Sequence, residues 1–108
     1  MKQKGELGMI KHVILWTLKD DIKGDDRQKV KQGIKTGLES LKGQIEGLVD
    51  ISVRIECLET STADVMLDST FEDEAALKRY ATHKKHLEVA DNNVRPYTAT
   101  RACMDFEI

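Results

Sequence analysis

The stretch YATHKKHLEVAD, residues 80 to 91, sets Tyr80, His83 and His86 within seven positions. Imidazole titrates near pH 6.5, so His86 can take or give a proton at working pH. A tyrosine six residues earlier, across a break between helical pieces, can donate to a carbonyl or enolate oxygen and stabilise developing charge there. His83 and His86, three apart, also have a spacing that can present two metal ligands from one helical face. Lysines stand between them and no third histidine or cysteine lies nearby, so no metal is expected, and His83 is read as the cap of a helix end. The competing structural reading has His86 capping the following helical turn, with Lys84 and Lys85 as a solvated bend.

The elements around this segment must form its walls. Residues 9–18, MIKHVILWTL, read as a strand rich in β-branched residues and apolar on both alternating sets, which suits a central strand. His12 is its polar exception, read as a core histidine or a pocket residue. Trp16 is read as core, with enough bulk to shrink any pocket. In the following helix Val30, Ile34, Leu38, Leu41 and Ile45 recur at helical spacing. Asp25 or Asp26 is expected to cap its start and Gly43 or Gly47 to mark its end, while Gly33 and Gly37 are read as points of close packing. LVDISVRIEC alternates, with Val49, Ile51, Val53, Ile55 and Cys57 on one face, as an edge strand does. ADVMLDSTF is a third strand, and EDEAALKRYA opens a helix with acids where the dipole favours them. HLEVADNNV adds a helical turn or two before Pro96. ATRACMDFEI closes the chain as a strand, with Arg101 expected to pair with an acidic neighbour across the sheet.

The order is β-α-β-β-α-β, an α+β ferredoxin-like fold with an antiparallel sheet, strands 1 and 3 central and 2 and 4 at the edges. Helices cover one side only. The other side, with Ala102, Met104, Phe106 and Ile108 on the last strand, is apolar enough to imply a second copy of the chain.

With 108 residues the chain is one domain, expected over residues 9–108 behind a loose extension at 1–8. Net charge is −2 and aromatics are 5%, which argues against nucleic acid as a partner. The longest apolar run, Val13 to Trp16, is far too short for a membrane span, and residues 1–8 lack the apolar stretch of a signal peptide. A cytoplasmic location is expected, with Cys57 and Cys103 unbridged.

MIKHVILWTLKDD, STFEDEAALKRYATHKKHLEVAD and ATRACMDFEI together resemble the stress-responsive A/B barrel family of dimeric α/β-barrel domains. The resemblance extends over nearly everything from Met9 to Ile108. Lys84 stands where many members have a proline. It implies a homodimer whose two sheets pack into a barrel, and it implies function much less, since the fold hosts unrelated activities. Some members cyclise linear polyketides without a cofactor, and the matching catalytic positions here are Tyr80 and His86, with Asp105 supporting the histidine and His12 lining the pocket. Ile14, Trp16, Val65, Leu67 and the first helix would wall it.

Three functions compete. One is a non-catalytic dimeric domain that binds a small molecule. Another is a cofactor-independent cyclase, isomerase or lyase acting on a small carbonyl or polyketide-like substrate through Tyr80 and His86. The last is a haem-binding monooxygenase, which ranks lowest because the first strand lacks the asparagine such enzymes place near haem.

Overall fold

The computed structural model describes residues 8–108. The extension expected at 1–8 therefore lies outside the described residues, apart from Gly8 in irregular chain. The elements run β1 (Ile10–Leu18), α1 (Gly24–Glu39), β2 (Leu48–Arg54), β3 (Val65–Phe71), α2 (Glu74–Thr82), α3 (Lys84–Val89), a π-helical turn (Ala90–Val94) and β4 (Thr98–Glu107). The sheet order is β2-β3-β1-β4 and every neighbouring pair is antiparallel, so the predicted ferredoxin-like topology holds.

β1 sits centrally because both of its side-chain sets are apolar. Ile10, His12, Ile14, Trp16 and Leu18 are buried under the helices, while Lys11, Val13 and Leu15 share the opposite face. Register places Ala102, Met104 and Phe106 of β4 on that opposite face, against Leu15, Val13 and Lys11. Met104 is 67% exposed and Phe106 and Leu15 each 42%, a solvent-facing apolar strip in the single chain.

α1 buries Ile34 and Leu38 in the core, each such burial contributing roughly 1.5–3 kcal/mol. Its boundaries differ from the sequence reading. Lys23 is the N-cap and makes no side-chain cap bond; Asp25 and Asp26 lie inside the first turn, where they serve the dipole instead. The helix stops at Glu39, although Leu41 and Ile45 remain buried through the turns that follow. Gly47 ends those turns at φ 87°, where a Cβ would stand 2.5 Å from Ala76 Cβ. Gly37 also needs its missing Cβ, which would stand 2.7 Å from Asn93 Nδ2, whereas Gly33 faces open space.

β2 departs from simple alternation. A register shift between Leu48 and Asp50 buries Leu48 and turns Val49 out, so the expected face loses Val49, and Cys57 beyond the strand is exposed. The edge of β2 is blunted by α1: Glu39 Oε2 accepts from Val53 N at 2.9 Å, and Lys35 Nζ donates to Val53 O at 2.7 Å. Both cysteines are free: Cys57 lies in irregular chain beyond β2 and Cys103 is on β4, at the opposite edge of the sheet from β2. Among the described residues no helix is long and apolar enough to cross a membrane.

Candidate active site

Asp73 caps α2 by accepting from Ala76 N at 2.8 Å, and the helix runs just far enough to carry Tyr80 onto the sheet. Tyr80 is 1% exposed and packs edge-on against Phe71 at a centroid distance of 4.9 Å. His83 then breaks the helix. It is the last cap of α2 and the first of α3, its Nδ1 accepting from Lys85 N at 3.1 Å. The capping role thus belongs to His83, as expected, and not to His86.

The break lets α3 fold His86 back over Tyr80, ring to ring at 4.2 Å and tilted by 35°. His86 Nδ1 lies 3.2 Å from Ala81 O. A carbonyl only accepts, so Nδ1 carries the proton and Nε2 keeps its lone pair. Burial holds the His86 imidazolium below its ordinary range, helped by the charges of Arg95 and Arg101, while the Ala81 carbonyl works the other way. Tyr80 is pushed upward by burial and stays a neutral phenol, a donor.

Asp105 was expected beside His86. The structure gives it to His12 instead, with Nδ1 to Oδ1 at 2.5 Å. The reason is register: His12 and Asp105 are directly opposed on β1 and β4, where cross-strand side chains meet, whereas the hydrogen-bonding nitrogen of His86 is already taken by Ala81. Cys103 Sγ approaches the same pair, 3.7 Å from His12 Nδ1 and 3.6 Å from Asp105 Oδ1. These are zinc-ligand types, all within 4.8 Å of one another. In this structure the His12–Asp105 contact is a hydrogen bond.

A cavity of about 160 Å³ opens between the sheet and the helices. His12, Ile14, Trp16, Leu67, Tyr80 and His86 all line it, so most of the predicted wall is present. Val65 does not: it is buried in the core, 2% exposed, and paired with Trp16. Asp105 lies outside it as well, in a shallower groove next door. Sequence reasoning missed Arg95 and Arg101, which line the cavity. Arg101 was expected to pair with an acidic neighbour across the sheet, yet the residue opposite it is Trp16. Arg95 arrives through the π-helical turn, closed by Arg95 N to Ala90 O at 2.8 Å, which also aims Ala90 and Val94 inward.

The Tyr80 hydroxyl is buried with no hydrogen-bond partner among the described residues. Leaving such a group unsatisfied costs about 1–3 kcal/mol, and Tyr80 is one of the residues that line the cavity.

Solved structures share this architecture. A dimeric protein of unknown function with a ferredoxin-like fold from Bacteroides fragilis is 30% identical, with 94% of this chain and 97% of that one covered and a TM-score of 0.87. A Dabb family protein with a ferredoxin-like fold from Mesorhizobium loti is 21% identical over 92% and 95% of the two chains, with a TM-score of 0.70. The hydroxynitrile lyase of Passiflora edulis, 14% identical over 94% of each chain with a TM-score of 0.76, shares the fold. No curated protein matches the chain. The family model for the stress-responsive A/B barrel domain matches residues 10–108, and the chain belongs to that family.

Proposed function

We propose that the protein is a cytoplasmic homodimer whose cavity binds a small carbonyl compound, its oxygen accepting from the Tyr80 hydroxyl. The observation that carries this reading is the buried Tyr80 Oη, without a hydrogen-bond partner among the described residues, on a residue that lines the cavity. A volume near 160 Å³ suits a ring-sized apolar body, since a dry cavity of about 150 Å³ holds benzene. The dimer is supported by the apolar strip on the open sheet face and by relatives described as dimeric. Two exposed free thiols suit a reducing compartment.

His86 favours a second reading, in which the bound compound reacts. Its free Nε2 can take a proton from the carbon next to the carbonyl, breaking that C–H bond and leaving an enolate whose oxygen Tyr80 holds. No cofactor is needed for that step. Cyclohexanone tests both readings. Nuclear magnetic resonance should show it binding the native protein and not Tyr80→Phe. Deuterium exchange of its α-protons in D2O, faster with native protein than with His86→Gln, would establish catalysis; binding without faster exchange leaves the protein a binding domain.

A further inference from the structure

The cavity has an electrostatic sign that the apolar walls and the Tyr80–His86 pair do not explain. Among the described residues no carboxylate lines it, while two arginines, Arg95 and Arg101, do. Arg101 has no ion-pair partner among the described residues. Arg95 pairs with Asp91 on the same helical stretch, but that pair is 61% and 59% exposed and turned to solvent, where such contacts hold a guanidinium loosely. Both arginines line the cavity together with His86. A recess lined by one sign of charge concentrates ligands of the other sign, and the planar fork of a guanidinium matches a carboxylate.

We infer that the ligand is a monoanion: a ring-sized apolar body bearing a carbonyl at its inner end and a carboxylate at its outer end, the carboxylate held between Arg95 and Arg101. This rests on the carbonyl-binding reading above and narrows it to oxo acids. Neutral ketones of the same size would enter the cavity but gain nothing from either guanidinium.

The test is a matched pair, 4-oxocyclohexanecarboxylate and 4-oxocyclohexanecarboxamide, titrated by calorimetry against the full chain at low salt. The acid should bind at least tenfold more tightly than the amide. That ratio should fall at least threefold in Arg101→Gln and in Arg95→Gln, and approach one in the double variant. Both substitutions are at exposed positions, and circular dichroism reports whether the fold is kept. Equal affinities for acid and amide would overturn the inference and leave the carbonyl pocket standing. Binding of neither compound would overturn the pocket reading itself. An acid preference that survives in the double variant would place the anion elsewhere and also overturn the inference.

Discussion

His12 Nδ1 and Asp105 Oδ1 lie 2.5 Å apart across the β1–β4 pair, which ties the most exposed strand of the sheet to its buried centre. The imidazole is nearly inaccessible, while the carboxylate is 44% exposed, so solvent screens part of the attraction. Asp105→Asn should lower stability by about 1 kcal/mol in urea unfolding, the contribution of one partly screened charge-assisted bond. An unchanged midpoint would show that the pair holds geometry without adding stability.

The glycines of α1 predict opposite outcomes four residues apart. At Gly33 a Cβ meets nothing within 4 Å, so Gly33→Ala should stabilise by up to about 1 kcal/mol through helix propensity. At Gly37 the same Cβ would crowd Asn93 Nδ2 and Val89 Cγ1, and Asn93 Nδ2 already donates to Gly33 O at 2.9 Å. Gly37→Ala should therefore destabilise, by about 1–3 kcal/mol if the contact cannot relax. Thermal melts of the two variants moving in the same direction would contradict this account of the α1 packing.

Met104 is on the open face of β4 among Val13, Leu15 and Phe106. A carboxylate there would be desolvated on dimerisation without a partner. Sedimentation at micromolar concentration should give a dimer for the native chain and a monomer for Met104→Asp. A native monomer would remove the interface from the proposal.

Acid should weaken the fold partly through His86. Its pKa in the folded chain lies below the ordinary 6.5, chiefly because burial disfavours the charged ring. The unfolded chain therefore binds the proton more readily, and the contribution of His86 to stability, complete above about pH 6.5, is lost as the pH falls through the folded value. Between pH 7.5 and 5.5 the urea midpoint should drop more for the native protein than for His86→Gln. Parallel curves would mean that the ring titrates as it does in water.

Much of this was legible in the sequence because local pattern and topology agreed. The two apolar sets of β1 demanded a central strand, and the acid-capped start of α2 with a histidine break placed Tyr80 inward. What was not legible depended on spatial pairing. Asp105 is nineteen positions from His86 and ninety-three from His12 in the sequence, and only strand register decides which it meets. The bulge that turns Val49 outward hides inside a stretch that alternates well on paper. The π-helical turn leaves no periodic signature, so nothing in the sequence marked Arg95 as a cavity residue.

The central claim is that the Tyr80 hydroxyl waits for a ligand oxygen. Removing that hydroxyl should stabilise the empty protein, since a buried donor without a partner is a cost of about 1–3 kcal/mol, and should at the same time abolish stabilisation by ligand. Thermal unfolding of the native chain and of Tyr80→Phe, each with and without millimolar cyclohexanone, tests both halves together. The account predicts a higher melting temperature for empty Tyr80→Phe than for the empty native protein, and an upward shift with cyclohexanone in the native protein alone. A lower melting temperature for the empty variant, with the same cyclohexanone response in both proteins, would contradict it.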